Sequence, residues 1–318
     1  MAKYILRRII DMIPTLLIVA IIVFMVTRII PGDPAATLLG PQASADEVLK
    51  MREIMGLNDS LLVQFFNFIK DLARGDLGYS YAYNMEVSEL IAERFPNTII
   101  LTLAALLISI VVGVTGGIIS AYYRNTVIDY SVMLVSLVGV SMPVFWLGVM
   151  LVLVFSVNLG WLPSTGMASS TADWVQQLRH LVLPSVTLAT IPMANFARIT
   201  RASMLEVISS DYVRTARAKG LNERVVIIKH ALKNAMTPIL SVLGLQVAGL
   251  LGGSILTETI FSWPGMGRLT TDAIDRRDLA VIQGIVIFIA LIYVVTNLII
   301  DLFYKVFNPR ISYTKEGS

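Results

Sequence analysis

LAVIQGIVIFIALIYVVTNLII, residues 279–300, runs from Asp278 to Asp301 without a single charged side chain. A helix needs about 20 mostly apolar residues to cross about 30 Å of hydrocarbon. A helix on a soluble core keeps a polar face, which this run lacks. Three more charge-free runs lie upstream, between Arg94 and Arg124, between Asp129 and Asp173, and between Lys233 and Glu258. The 318 residues are 56% hydrophobic and 15% charged, against about 25% charged in ordinary globular chains. The chain therefore reads as an all-α, multi-pass membrane protein.

Working outward from that run gives six transmembrane helices. Lys3 to Arg8 followed by Ile9 to Ile30 reads as a retained first span, because Pro31-Gly32-Asp33-Pro34 follows where a cleaved leader would have small residues. Asp11 and Arg28 sit near its ends, where a charged head reaches the interface. The second span covers about 97–123 and the third about 130–159, with a kink or unwound turn at Ser141-Met142-Pro143. The fourth, about 181–197, is short and holds Pro184 and Pro192; the fifth covers about 235–256 and the sixth 279–300. The expected organisation is an N-terminal tip and first span over 1–30, an outer helical loop over 31–96, a transmembrane core over 97–309 with a cytoplasmic loop at 198–234, and a tail over 310–318.

Orientation follows from the basic residues of the loops. Fifteen Lys and Arg fall on the side of both termini, eight of them between Arg198 and Lys233, against nine on the other side. Both termini are thus expected in the cytoplasm. The first loop, with ten acids against five bases, then faces outward. The net charge of +3 reflects basic loops beside an anionic bilayer surface, not a nucleic-acid partner. There is no cysteine, which excludes disulfides and thiolate chemistry, and two histidines, His180 and His230, do not make a metal centre. No phosphate-binding loop of the Gly-x-x-x-x-Gly-Lys-Ser/Thr type occurs, so this chain supplies no nucleotide site.

The outer loop carries helix signals. Ser44-Ala45-Asp46-Glu47 is a capping box opening a short helix that Gly56 ends. Residues 61–74 are amphipathic, with Gly75 placed to cap them, and a further short helix at about 87–94 leads into the second span. The loop of greatest interest is Ser210-Asp211-Tyr212-Val213-Arg214-Thr215-Ala216-Arg217-Ala218-Lys219-Gly220-Leu221-Asn222-Glu223. Ser210 or Asp211 is placed to cap a short helix, Lys219 favours its negative end, and Gly220 permits a left-handed turn. Asn222 then caps a helix that runs through Lys233 into the fifth span. A rigid basic knob joined to a transmembrane helix results.

Arg214-Thr215-Ala216 and Gly220 resemble the "EAA" loop of ABC importer permeases, although Arg214 and Thr215 replace the first two residues of the general pattern. Thr215-Ala216-Arg217-Ala218-Lys219-Gly220, followed by His230-Ala231-Leu232-Lys233-Asn234-Ala235, is similar to the dipeptide/oligopeptide permease branch. Pro31-Gly32-Asp33-Pro34, Gly75-Asp76-Leu77-Gly78, Ser141 to Trp146, Glu258 to Gly267 and Asn308-Pro309-Arg310 extend the resemblance almost end to end, and the long outer loop resembles the B-type subunit. The resemblance implies a type I ABC importer permease fold moving dipeptides or oligopeptides across the cytoplasmic membrane. It implies a homologous second permease subunit, two cytoplasmic ATPases carrying ATP and magnesium, an external peptide-binding protein, and no cofactor on this chain. The ATPase contact is then expected at Asp211, Tyr212, Arg214, Thr215, Ala216, Arg217, Ala218, Lys219 and Gly220.

Candidates for the translocation path are Ser141, Pro143, Gln246, Gly253 and Glu258. Gln246 is the strongly polar side chain in the middle of the fifth span and needs a partner or a wet cavity. Gly249 and Gly253 make a small-x-x-x-small face suited to close helix packing. Two roles stay open for Glu258, meeting a peptide amino terminus at an outer gate or capping the re-entrant segment from Phe261 to Leu269. Asp275, Arg276, Arg277 and Asp278 read as an interfacial salt-bridge cluster. Near relatives of the branch carry glutathione or nickel chelates, which remain alternative cargoes. A channel or membrane hydrolase is a rival of another class, but a hydrolase needs an intramembrane nucleophile–base pair or metal ligands and no span here offers a charged residue near its centre, while a channel needs no docking loop.

Overall fold

The computed structural model describes residues 2–29, 32–169 and 171–307, with side chains left undescribed at 2–9, 248, 253 and 301–307. The expected tail at 310–318 and the closing Asn308-Pro309-Arg310 lie outside the described residues. By packing, the chain divides into two units, one of residues 1–98 and 264–298, the other of residues 99–263 and 299–318.

In the first unit, α1 (Ala2–Ile29) is followed by three short helices, α2 (Pro34–Leu39), α3 (Ala45–Ile54) and α4 (Leu61–Ala73). Asp33 caps α2 by accepting from the Ala35 N–H, with Pro34 in the first turn where its missing N–H costs nothing. The capping box of α3 forms as expected, Ser44 and Glu47 exchanging hydrogen bonds. Glycines at positive φ end both of the later helices: Gly56 after α3 and Gly75 after α4. In each case, two N–H groups past the end fold back on the last turn. α4 lays Phe68, Ile69 and Leu72 on a small core of Ala20, Val23 and Ile287. A two-stranded hairpin, β1 (Tyr79–Ser80) and β2 (Met85–Glu86), went unread in the sequence because strands of two residues carry no periodicity.

The short helix expected at about 87–94 is no separate element. α5 (Val87–Tyr122) runs unbroken through Pro96 and is both that helix and the second span. α12 (Met266–Asp275) and α13 (Leu279–Phe307) complete the unit, and Val87, Leu90, Ile91, Met266, Leu269, Val281 and Ile285 form its core. The expected salt-bridge cluster ahead of α13 is divided among other partners. Ser80 donates to Asp278 at 2.5 Å, and the Arg276 guanidinium lies 5.1 Å over the Tyr83 ring. The ion pairs found among the described residues include none within that cluster.

In the second unit, α6 (Val127–Ser141) and α7 (Val144–Leu151), extended by a π-helical stretch at Val152–Asn158, bend by 106° at Met142-Pro143. The expected kink is a full break, because Pro143 cannot donate and forces Met142 out of the helical region. α8 (Trp174–Ile208) is far longer than the fourth span expected, and passes through Pro184 and Pro192 without ending. It is the central helix, 61% buried over its most apolar window against 28% for α5. Burial among other helices is what keeps a proline inside a membrane helix tolerable. α5 approaches it closely: a Cβ on Gly113 would sit 2.5 Å from the Met193 carbonyl oxygen, and one on Gly117 2.6 Å from that of Ala197. α9 (Asp211–Ala218), α10 (Glu223–Val225), a π-helical stretch at Val226–Leu232 and α11 (Lys233–Ile260) follow. Among the described residues, five helices are long and apolar enough to cross a membrane, and six if the bent pair α6–α7 counts as one span.

Candidate functional site: the α9 knob and its root

α9 is short, and three features hold it. Val213 and Ala216, one turn apart, are buried against Val226 and Val207. Arg217 donates from Nη2 to Glu223 Oε1 at 2.7 Å and from Nε to Oε2 at 3.1 Å, closing the turn between α9 and α10. That carboxylate raises the Arg217 guanidinium above its already high pKa, so the pair stays charged. Gly220 takes φ +76, with open space where a side chain would be, and Asn222 caps α10 through the Arg224 N–H at 3.0 Å. The expected cap of α9 itself does not form. The Ser210 hydroxyl turns back to donate to the Val207 carbonyl at 2.6 Å.

The anchored face leaves the opposite one open. Asp211, Tyr212, Arg214, Thr215, Arg217, Ala218, Lys219 and Gly220 are exposed, while Ala216 belongs to the anchor. The exposed set is basic and carries one aromatic ring, Tyr212, which suits an acidic, partly apolar groove on another protein. α10 and the π-helical stretch run directly into α11, so a displacement of α9 reaches a membrane helix without a flexible joint.

At the root of the knob lies a cluster that the sequence reading missed. Asp129 in the first turn of α6 has a side chain only 1% exposed. Arg201 on α8 grips it with Nε to Oδ1 at 2.7 Å and Nη2 to Oδ2 at 2.7 Å. The Ser120 hydroxyl and the Asn125 N–H donate to the same carboxylate. Three helices, α5, α6 and α8, are thereby joined by one carboxylate about two turns before α8 ends. The available signal was a lone acid and a lone base bordering apolar runs; their pairing across 72 residues has no local trace.

The other candidates scatter. The Ser141 hydroxyl donates to the Leu137 carbonyl at 2.8 Å, and Pro143 opens α7; both line an open apolar recess with Met142, Phe145 and Trp146. Gln246 is half-buried in α11, and the surroundings of Gly253 lie outside what is described. Glu258 is fully buried, and its backbone carbonyl accepts from the Trp263 N–H at 2.8 Å in the turn after α11. Among the described residues, a Cβ on Gly249 would meet nothing within 4 Å, whereas one on Gly244 would sit 2.5 Å from Ile300.

Comparison with known proteins agrees with this architecture. Residues 113–313 match the family model "Binding-protein-dependent transport system inner membrane component", and residues 1–102 match its N-terminal companion. The dipeptide transport system permease protein DppB of Alkalihalophilus pseudofirmus is 46% identical over 333 aligned positions, covering 98% of this chain and all of that one. The glutathione transport system permease protein GsiC of Salmonella typhimurium is 44% identical with the same coverage. A chain of the inward-facing MetNI methionine ABC transporter superposes with a TM-score of 0.56 at 16% identity, covering 69% of this chain and 96% of that one. The chain is a multi-pass inner-membrane permease subunit and belongs to the family of binding-protein-dependent transport system inner membrane components.

Proposed function

We propose that this subunit passes short peptides, handed over by an external binding protein, into the cytoplasm, and that the exposed face of α9 docks on an ATP-hydrolysing partner. The carrying observation is the anchoring of α9: Val213 and Ala216 fix it from below while Tyr212, Arg214 and Lys219 stay exposed. A helix held this rigidly transmits a push instead of absorbing it. ATP and magnesium then belong to two partner ATPases, and both termini face the cytoplasm, in line with the excess of basic residues on that side.

A face of α11 supports the reading of a homologous second permease subunit. Leu245 and Leu256 are 70% and 56% exposed, and Gly249 and Gly252, spaced between them, meet nothing within 4 Å. Small residues flanked by leucines let a partner helix approach closely. Peptide cargo rests on the dipeptide-permease relative at 46% identity, and glutathione is the second reading, resting on the relative at 44%.

Arg214→Glu combined with Tyr212→Asp tests the docking face. The complex should insert and the partner ATPases should lose transport-linked hydrolysis; normal transport in this variant refutes the assignment. Cargo is tested by titrating the co-purifying external binding protein with dipeptides, longer peptides, glutathione and nickel chelates.

A further inference from the structure

One cavity belongs neither to the α9 knob nor to the spans' apolar surfaces, and it lies wholly within the first unit. Its volume is about 360 Å³, within the range of about 300–1,000 Å³ typical of small-ligand sites. Its wall brings together Arg28 from the end of α1, Arg277 from the turn before α13, and Asp59 and Asp71 from the start and end of the α4 region. The register is fixed by the Gln283 amide donating to Thr27 Oγ1 at 2.8 Å, which sets the end of α1 beside the start of α13. Arg277 Nη1 lies only 1.6 Å from where a Cβ on Gly32 would be, so the glycine at φ +118 is what leaves room for the guanidinium.

These four charges are left unneutralised. Arg28 rests 5.0 Å over the Phe24 ring, and its buried Nε has no hydrogen-bond partner among the described residues. Among the described residues, none of Arg28, Arg277, Asp59 and Asp71 takes part in an ion pair, although all four share one wall. A wall that carries guanidiniums and carboxylates without an ion pair between these four is complementary to a molecule with both a carboxylate and an ammonium. Guanidinium forks match a carboxylate, and half-buried Asp71 with Asp59 at the rim matches an ammonium. We propose that this cavity is an acceptor subsite for a short peptide in its zwitterionic form, with the C-terminal carboxylate at Arg28 and Arg277 and the amino terminus at Asp71 and Asp59. The proposal rests on the peptide-cargo reading above and deepens it.

The test uses the purified permease–ATPase complex in lipid nanodiscs, without the external binding protein, and measures equilibrium binding of tritiated dialanine in competition with its C-terminal amide and its N-acetyl form. Dialanine should bind in preference to both. Arg277→Gln should weaken binding by about tenfold or more, the loss of a charge-assisted hydrogen bond, and remove the preference over the amide. Asp71→Asn should remove the preference over the N-acetyl form and keep the other. A misfolded variant weakens all three ligands alike and loses ATPase activity, so the opposite losses of preference identify the subsite. Unchanged preferences in folded variants overturn the proposal, as does a zwitterionic phospholipid held in the cavity that dialanine does not displace. If peptide uptake by the complete transporter proceeds normally in Arg277→Gln, the subsite falls alone. If the complete wild-type transporter takes up no peptide, the cargo reading falls with it.

Discussion

Replacing Arg201 by Met removes two of the four donors from the Asp129 carboxylate and all of its countercharge. Removing one partner of a buried ion pair costs about 3–5 kcal/mol, because the remaining charge is left uncompensated. Here Ser120 and Asn125 still donate, and Arg201 is 26% exposed, so the cost should fall near the lower limit, about 3 kcal/mol. For a unit of this size about 1 kcal/mol moves the melting temperature by 2–4 °C, giving a fall of about 6–12 °C. Differential scanning fluorimetry of the detergent-solubilised complex reads this directly. Asp129→Asn leaves the partly exposed Arg201 unpaired and should cost about 1–3 kcal/mol. The double variant should cost less than the two singles together by about 2 kcal/mol, since the interaction is lost only once. A fall below about 2 °C for Arg201→Met, or strict additivity in the cycle, would show that the pair is not what joins α5, α6 and α8.

Gly113→Ala places a Cβ 2.5 Å from the Met193 carbonyl oxygen, and should destabilise by about 1–3 kcal/mol in the same melt; Gly116→Ala, whose Cβ would meet Val132 at 3.6 Å, should be neutral. Gly252→Leu enters open space in this chain and should leave its own melting unchanged while reducing co-purification of the second permease subunit; intact assembly would move the partner face elsewhere. The Ser44 N–H and hydroxyl hold the Glu47 carboxyl below its ordinary value of 4.5. A depressed pKa stabilises fully above the unfolded value and is lost as pH falls through the folded one. Amide exchange in α3 should therefore speed up in the wild type as pH falls below the ordinary carboxylate value, and Glu47→Gln should remove that dependence.

Much of the fold was legible because hydrocarbon thickness and loop charge act on sequence directly. The second and sixth spans became α5 and α13, α5 ending and α13 beginning near the expected limits, while α5 starts at Val87 and α13 runs on to Phe307. The capping box at Ser44 and the glycine turns at Gly56, Gly75 and Gly220 also formed as read, since each depends on neighbours within a turn. The fourth span exists but was read too short at Pro184 and Pro192, because local rules end a helix at proline and only burial of α8 among its neighbours overrides them.

Two small-residue patterns, at Gly113/Gly117 and Gly249/Gly253, look alike along the chain. The first packs on α8 backbone, and Gly249 of the second is open. A spacing states that close approach is allowed and does not say what approaches. The α9 knob divides in the same way. Its existence, its basic charge and its glycine end are consequences of the sequence from Ser210 to Asn222. That Ala216 is its anchor, that Arg217 closes it on Glu223, and that Asp129 and Arg201 tie its root together were decided by tertiary structure, because those contacts depend on which helix faces meet across tens of residues.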